Sequence, residues 1–257
     1  MENNTIIKVR KLIAGYSEVV ILDGISFDVL EGEILVILGG SGCGKSTLLR
    51  HLIGLNTPFS GEEVIDGVDI TSCDDISFHN TLRKTGVLFQ SSALFGSMTL
   101  EENVALPIEE YSELPHNAID SLVKMKLGMV DLSGYENHMP SELSGGMKKR
   151  AGLARAMALN PKILFLDEPS AGLDPVTSTE IDELILHINK SIGTTMVIVT
   201  HELDSIFRVA QRVIMLDKTV KGIIAEGDPA YLRDHSQTPF VRQFFNRQTE
   251  QNANNRT

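Results

Sequence analysis

A glycine-rich loop between an apolar run and an amphipathic segment constrains this chain more than any other feature. The run Ile34–Leu38 is rich in β-branched residues, and the segment GGSGCGKS, residues 39–46, follows it directly. From Thr47 to Leu55 the apolar residues recur at helical spacing. Strand, Gly-x4-Gly-Lys-Ser loop and helix, in that order, are typical of a loop that cradles phosphate groups. A glycine-rich turn without a ligand is the simpler alternative, and the strand and helix on either side disfavour it.

Each residue type in this loop has a chemical reason. Glycines let backbone N–H groups turn toward phosphate oxygens, and the following helix adds its positive dipole end. Lys45 is expected to neutralise the β- and γ-phosphates, and Ser46 to offer a hydroxyl to Mg²⁺. The predicted nucleotide contacts are Gly39, Gly40, Ser41, Gly42, Cys43, Gly44, Lys45, Ser46 and Thr47.

Three further apolar runs end in polar residues, with helical patterns between most of them, which predicts an α/β fold with a parallel sheet. Ligands of such sheets bind outside the carboxyl ends of the strands. The polar residues that should converge there are Gln90 after Val87–Phe89, Asp167 and Glu168 after Ile163–Leu166, and Thr200 and His201 after Met196–Val199. We expect Asp167 to hold the Mg²⁺ shell and Glu168 to polarise the attacking water. A solvated acidic pair at a strand end is the alternative.

The rest of the chain divides by pattern. An Asp66-Gly67 pair between apolar residues predicts a hairpin, and hence an antiparallel β region. Residues from about 91 to 158 carry helical patterns and no clear buried strand, so we expect a helical subdomain inserted into a core of about 1–90 and 159–245. Residues 246–257 include four Asn, two Gln and a single apolar residue, and we expect a disordered tail there.

Composition narrows the possible functions. The 257 residues carry 23 Lys and Arg against 34 Asp and Glu, a net charge of −11, which disfavours a protein that binds nucleic acid over a broad surface. Two cysteines, Cys43 and Cys73, make neither a disulfide nor a zinc framework. No apolar run approaches the roughly 20 residues of a spanning helix, so membrane association is expected through a partner.

A second candidate anion site lies at Leu143-Ser144-Gly145-Gly146-Met147. Ser144 can cap the helix that follows, and two glycine amides at a helix N-terminus can meet a phosphate. Lys148, Lys149 and Arg150 are expected to form an exposed basic flank of that helix. An N-capped amphipathic helix without a ligand is the alternative, and a phosphate held between this segment and the first loop needs two surfaces.

With these motifs, the chain resembles the nucleotide-binding subunit of ATP-binding cassette (ABC) transporters over residues from about 5 to 245. Six motifs stand in family order: the phosphate loop, Gln90, the Leu143–Met147 segment, Asp167-Glu168, Asp174 and His201. The resemblance implies a P-loop NTPase core that binds and hydrolyses ATP with Mg²⁺. It also implies that ATP lies between the phosphate loop of one copy and Ser144, Gly145 and Gly146 of a second.

The resemblance assigns further roles by position. Tyr16 stands where an aromatic ring stacks on adenine, with a partly buried strand aromatic as the alternative. Gln90 matches the residue that senses Mg²⁺, and His201 the one that contacts the γ-phosphate. Asp174 would lie at the interface between copies, and Asp174-Pro175 also predicts a helix N-cap.

Three positions depart from the usual family pattern. Gly40 replaces a common Pro, which would loosen the backbone of the phosphate loop. Met147 replaces the usual Gln at the end of the segment, where Ser144 and the glycine amides can still contact phosphate. Gly172 is an addition before Asp174, and it adds flexibility at the expected interface.

Three segments resemble the ATPase subunit of Mla-type (Mce-associated) phospholipid transport systems: 87–99, 101–107 and 141–147. That likeness implies a permease, an Mce-domain lipid-binding protein, a STAS-domain regulator, and a place on the cytoplasmic face of the inner membrane. Ala93, Leu94, Phe95 and Met98 could form a docking surface there or pack under the helical subdomain. The alternatives are an ABC importer for a polar solute such as an amino acid or metal, a soluble ABC ATPase, and a module that binds ATP without hydrolysis.

Overall fold

The computed structural model describes residues 4–246, which form ten strands and nine α-helices. The strands are β1 (Thr5–Tyr16), β2 (Val19–Leu30), β3 (Ile34–Gly39), β4 (Ser60–Ile65), β5 (Val68–Asp69), β6 (Thr85–Leu88), β7 (Ile163–Asp167), β8 (Thr195–Val199), β9 (Arg212–Asp217) and β10 (Gly222–Gly227). The helices are α1 (Lys45–Leu52), α2 (Asp75–Leu82), α3 (Leu100–Tyr111), α4 (His116–Met129), α5 (Gly145–Ala156), α6 (Pro175–Ile192), α7 (Leu203–Val209), α8 (Pro229–His235) and α9 (Pro239–Phe245).

A six-stranded sheet with the order β10-β9-β3-β8-β7-β6 carries the strand ends that the sequence singled out. Its pairs are parallel except for β10, which runs antiparallel to β9. Every residue of β3 and of β8 is buried, as expected for a parallel strand covered on both faces. The carboxyl ends of β3, β8, β7 and β6 therefore lie along one edge of the sheet.

Side chains of β3 alternate between two cores. Leu35 and Ile37 pack into a core with α1 and the second sheet, while Ile34, Val36 and Leu38 pack on the other face. The second sheet is antiparallel with the order β2-β1-β4-β5. The predicted hairpin is confirmed, because Asp66 (φ +48°) and Gly67 (φ +81°) both take the left-handed conformation of a tight two-residue turn between β4 and β5.

Residues 91–158 contain α3, α4, α5 and a short 3-10 helix at Pro140–Glu142, and no strand among these described residues. Leu100, Val104 and Val123 of α3 and α4 share one hydrophobic core with Ile34 and Leu38 of β3. The fold class is confirmed: a parallel sheet, an antiparallel sheet and a set of helices placed between β6 and β7 in the chain.

Two predicted boundaries are wrong. The helix expected to reach Leu55 ends at Leu52, because Gly54 takes a left-handed conformation (φ +71°) and the N–H groups of Leu55 and Gly54 donate to the carbonyls of Arg50 and His51. The strand expected to include Phe89 ends at Leu88, which leaves Phe89 exposed. The predicted tail, apart from Asn246, lies outside the described residues. No helix in the described part of the chain is long and apolar enough to cross a membrane.

Candidate active site

The phosphate-binding loop keeps its shape because three glycines take backbone conformations that other residues rarely adopt. Gly39, Gly42 and Gly44 have φ values of +146°, +74° and +103°. A Cβ on Gly39 would lie 2.3 Å from the Leu216 carbonyl oxygen, and one on Gly44 would lie 2.6 Å from Leu22 Cδ2. A side chain at Gly39 would therefore press on the backbone of β9, and one at Gly44 would displace the Leu22 side chain. Gly40 is not among the residues with positive φ, so its backbone does not require glycine.

The polar groups of this loop gather at the start of α1. No side chain caps that helix, so its first N–H groups are not occupied by a capping residue. Lys45 Nζ donates to the carbonyls of Gly39 (2.9 Å) and Gly40 (3.2 Å), which holds the ammonium over the loop. Ser41 and Ser46 are exposed, whereas Cys43 and Thr47 are buried. Burial raises the pKa of the Cys43 thiol, which leaves its backbone as the group able to meet a phosphate.

Two carboxylates stand at the end of β7, one strand away from β8 and two from β3. Asp167 lies opposite Val199 of β8, and the Glu168 N–H donates to the Val199 carbonyl (2.8 Å). Burial raises the pKa of Asp167, and the Glu168 carboxylate raises it further. Three cations, Lys149, Arg50 and Lys45, oppose the rise in the pKa of Asp167, so this carboxylate lies within electrostatic reach of α5 and α1.

The Glu168 side chain is held on one side and unpaired on the other. Its Oε1 lies 2.6 Å from His201 Nδ1, while its Oε2 is buried without a hydrogen-bond partner among the described residues. Glu168 also has φ +48°, a strained conformation for a residue other than glycine. A buried carboxylate oxygen without a partner is a strong acceptor, so this atom is suited to bind and polarise a water molecule.

Gln90 follows β6 and is exposed, and its backbone carbonyl accepts a hydrogen bond from Lys149 Nζ (2.7 Å). The expectation of an exposed basic flank on α5 is wrong at Lys149, which is only 6% exposed, and Lys148 and Arg150 are partly buried. Lys149 shares the inward face of α5 with Gly146 and Leu153, three residues before it and four after it. The spacing of Lys149 from Gly146 and Leu153 was the sequence signal that could have shown that this lysine is buried.

The Ser144–Gly146 segment lies elsewhere, at the start of α5. Ser144 caps α5 as predicted, because its Oγ accepts from the Met147 N–H (3.3 Å). Ser144 and Gly145 are exposed, whereas Gly146 packs so tightly that a Cβ there would lie 2.5 Å from Thr177 Cγ2. No hydrogen bond or ion pair within residues 4–246 joins these three residues to the phosphate loop.

Asp174 supports that segment from the next helix. The predicted N-cap is confirmed, since Asp174 Oδ1 accepts from the N–H groups of Val176 and Thr177 (both 3.1 Å). The Thr177 hydroxyl donates to Oδ2 (2.5 Å). Hydrogen bonds from Thr177 and Val176 hold the pKa of Asp174 below its usual value. Asp174 thus fixes the threonine against which Gly146 packs.

Tyr16 ends β1 beside the first helix. Its ring is 41% exposed, and its hydroxyl accepts a hydrogen bond from Arg50 of α1 (3.3 Å). Burial raises the pKa of this hydroxyl, but hydrogen bonds with Thr47 and Arg50 outweigh it and leave the pKa below its usual value. The side chain is therefore partly open to solvent next to the helix that follows the phosphate loop.

The sequence model of the ABC transporter family matches residues 22–171, more than half of the chain, which include the phosphate loop, Gln90, the Ser144–Gly146 segment and the Asp167-Glu168 pair. The chain belongs to the ABC transporter family. As the ATP-binding cassette of that family, it is an ATPase subunit of a transporter. The cassette binds and hydrolyses ATP.

Several relatives and one solved structure give the extent of the likeness. The probable ribonucleotide transport ATP-binding protein Mkl of Mycobacterium leprae is 42% identical over 240 residues, which cover 93% of this chain and 68% of that protein. The intermembrane phospholipid transport system ATP-binding protein MlaF of Escherichia coli K12 is 41% identical over 87% of this chain and 82% of that protein. The methionine import ATP-binding protein MetN of Geobacillus kaustophilus is 38% identical over 90% and 67%.

Among solved structures, a dimeric post-hydrolysis state of the ATP-binding cassette MJ0796 bound to ADP and Pi matches this fold. Its TM-score is 0.78 at 30% identity, with 86% of this chain and 98% of that chain covered. The chain spans about two thirds of the length of the Mkl relatives, so those proteins contain a further segment that this alignment does not reach.

Proposed function

We propose that this ABC ATPase powers the movement of phospholipid between membranes of the cell envelope. The observation that carries the proposal is the likeness to MlaF proteins, which extends over 82–84% of their length at 40–41% identity. The methionine importer MetN is nearly as similar, at 38% identity over 90% of this chain. Import of a polar solute is therefore the second candidate, and a test must separate the two.

The residues at the sheet edge fit Mg²⁺ as well as ATP. Magnesium prefers oxygen ligands, keeps several waters and is held by one or two protein groups together with substrate phosphates. Ser46 offers a hydroxyl, Asp167 a carboxylate and Gln90 an amide oxygen, and the described residues contain no cage of three or more acidic, His or Cys ligands. When bound there, Mg²⁺ neutralises charge on the phosphate oxygens.

The chain's own groups account for the hydrolysis. Glycine amides, Lys45 and the start of α1 hold the phosphates, and phosphoryl transfer needs mainly such positioning and charge neutralisation. Glu168 Oε2 accepts a hydrogen bond from the attacking water, while His201 holds Oε1 and fixes the direction of the carboxylate. His201 also lies in reach of the γ-phosphate by its position after β8, and Tyr16 stacks on the adenine.

Two copies form the complete site in this proposal. Among the described residues, no hydrogen bond or ion pair joins Ser144, Gly145 and Gly146 to the phosphate loop of their own chain, and we assign their amides to an ATP bound by a second copy. Asp174 holds the base of that segment and lies at the same interface. The dimeric structure of MJ0796 supports such an arrangement.

A groove of about 890 Å³ between β6 and α3 is the proposed docking place for a membrane permease. Phe89, Ala93, Phe95, Leu106 and Tyr111 contribute to its largely apolar lining. Both expectations for the 93–98 segment apply in part. Ala93 and Phe95 line the groove, whereas Leu94 packs against the core. Residues 91–158 then act as the helical subdomain that passes the ATP-driven motion to the permease.

The remaining proposed partners come from the MlaF likeness. They are an Mce-domain lipid-binding protein and a STAS-domain regulator, with the ATPase on the cytoplasmic face of the inner membrane. Phospholipid is the cargo in the first proposal. ATP is the energy source in both candidate functions.

The test is recovery of the tagged chain from detergent-solubilised native membranes, followed by protein and lipid mass spectrometry. We expect a permease, an Mce-domain protein and phospholipid. Recovery of a permease with a soluble solute-binding protein instead would establish the polar-solute importer. Phe95→Asp should abolish recovery of the permease, whereas Phe59→Asp should not, because Phe59 is similarly exposed (47% against 49%) but lies outside the groove.

A further inference from the structure

One buried cation connects three parts of the active site. Lys149 Nζ donates to the backbone carbonyls of Gln90 and of Glu168, each at 2.7 Å. These carbonyls follow β6 and β7, which are adjacent parallel strands. The ammonium thus spans the two chain segments that carry the proposed Mg²⁺ ligand and the proposed base, and it reaches them from α5.

A lysine in this position requires an explanation, since lysine is almost never fully buried unless its charge is paired. Two carbonyl oxygens satisfy two of its three N–H donors. A side chain serving only to fill space would not need a charge, and burying a charge is costly. The cost of burying this charge is understandable if the ammonium donates hydrogen bonds that an apolar side chain cannot donate.

The Glu168 backbone shows what the ammonium holds. Glu168 has φ +48°, and its carbonyl accepts hydrogen bonds from both Lys149 Nζ and the Ala171 N–H. A left-handed conformation at such a residue persists only when its surroundings enforce it. The direction of the Glu168 side chain follows from this backbone, so a loss of the Lys149 contact would let the carboxylate turn away from the water.

The same helix also holds the loop after Gln90. Arg155 donates to the carbonyls of Ser92 (2.9 Å) and Ala93 (2.8 Å), both of which have positive φ. Lys149 differs from Arg155 because it alone of the two reaches the Glu168 segment as well. Ser144 starts this helix five residues before Lys149, so the second anion site and the hydrolytic carboxylate are attached to one rigid element.

We propose that Lys149 is a positioning residue for ATP hydrolysis, which sets the Gln90 and Glu168 segments relative to the helix that begins at Ser144. The proposal rests on the roles proposed above for Gln90 and Glu168. Lys149 itself contacts neither ATP nor water in this account. Its loss should therefore slow the chemical step and leave nucleotide binding in place.

The experiment compares Lys149→Met, Lys149→Arg and the control Lys148→Met in the full chain, purified with its membrane partner. Methionine keeps most of the length of lysine without a donor, and arginine restores charge and donors. Lys148 is the neighbouring lysine, and it makes no side-chain hydrogen bond among the described residues. ATPase kcat and KM, the Kd for ATP and the unfolding temperature are measured for each.

We expect Lys149→Met to lower kcat about 10- to 100-fold, the effect of a misplacement near 1 Å, with KM and Kd within about threefold of wild type. Lys149→Arg should recover kcat to within about threefold of wild type, and Lys148→Met should be unaffected. An unchanged kcat in Lys149→Met overturns the proposal. So does an equal loss in Lys149→Arg, or a rise in KM and Kd that matches the fall in kcat.

If Lys149→Met does not fold, Lys149→Leu takes its place with the same criteria, because leucine also lacks a donor and a charge. All variants are assayed at one temperature, about 15 °C below the lowest of their unfolding midpoints, so that unfolded protein does not contribute to a loss of rate. Absence of ATPase activity in wild type and in Lys148→Met would instead contradict the proposed function.

Discussion

The glycines at the start of α1 and those at the start of α5 meet different demands. Gly39, Gly42 and Gly44 bend the loop before α1 through positive φ values. Gly145 and Gly146 have no such values, and Gly146 is instead confined by Thr177 of α6. The first set shapes a loop around a ligand, while Gly146 lets two helices approach closely.

The start of α1 (the first start, residues 39–46) and the start of α5 (the second start, residues 144–147) also differ in charge and exposure. Lys45 places an ammonium over the first loop, whereas the second start has an exposed serine cap and its lysine, Lys149, points inward. Both offer backbone N–H groups to an anion. These differences support the proposal that the first start binds a nucleotide within one chain, and that the second contributes when another copy presents one.

The largest expected effect tests whether ATP is hydrolysed by Glu168, the carboxylate at the same sheet edge as the first start. Glu168→Gln removes the negative charge of the carboxylate beside the attacking water, so we expect kcat to fall about 1000-fold with an unchanged Kd for ATP. Single-turnover ATPase and equilibrium nucleotide binding check both halves. Glu183→Gln, on an exposed position of α6, is the matched control. Near-normal turnover in Glu168→Gln would contradict the role of this carboxylate.

Lys45→Ala should raise the Kd for ATP about 100-fold, because it removes charge-assisted hydrogen bonds to phosphate. Titration of the full chain with a fluorescent ATP analogue measures the change. Lys148→Ala carries the same loss of charge near the second start and should leave that Kd unchanged. Equal losses in the two variants would remove the difference between the helix starts.

Gly146→Ala should lower the free energy of unfolding by about 2 kcal/mol, because the new methyl group overlaps Thr177 Cγ2. Adding Thr177→Ser removes that γ-methyl but keeps the hydroxyl that bonds Asp174, and it should restore most of the loss. Gly42→Ala should cost about 1 kcal/mol through its φ of +74° alone, with open space around it. Urea unfolding measures all three, and a failure of Thr177→Ser to rescue Gly146→Ala would show that packing is not the reason for that glycine.

The smallest expected effect concerns the support of the second start. Asp174→Ala should lower the free energy of unfolding by about 1 kcal/mol, since it removes the cap of α6. Asp174→Asn keeps a capping oxygen and should lose much less. Thermal unfolding of both variants decides between a capping role and one of charge alone, in which case the two would lose equally.

The sequence predicted much of this architecture because its signals are local. Period, turn residues and strand-ending polar groups depend on neighbours in the chain, as for the Asp66-Gly67 turn and the caps at Ser144 and Asp174. The end of α1 was misplaced although Gly54 signalled it, since apolar spacing continued beyond the glycine.

Other features needed the fold. The pairing of Glu168 with His201, 33 residues apart, and the two carbonyls reached by Lys149 depend on how strands and helices pack. A run of Lys-Lys-Arg looks like a solvated flank until the helix is placed against its neighbours. The tight contact between Gly146 and Thr177 also cannot be predicted from the sequence. The pattern Ser144-Gly145-Gly146 is equally compatible with an anion site and with close packing of a helix.

In the proposed dimer, ATP joins the first start of one copy to the second start of another. Sedimentation velocity of Glu168→Gln with and without ATP tests it, together with Glu168→Gln/Ser144→Asp. Aspartate keeps a helix cap but repels phosphate. We predict an ATP-dependent dimer for Glu168→Gln and a monomer with unchanged ATP affinity for the double variant. An ATP-dependent dimer of equal stability in the double variant would contradict the claim.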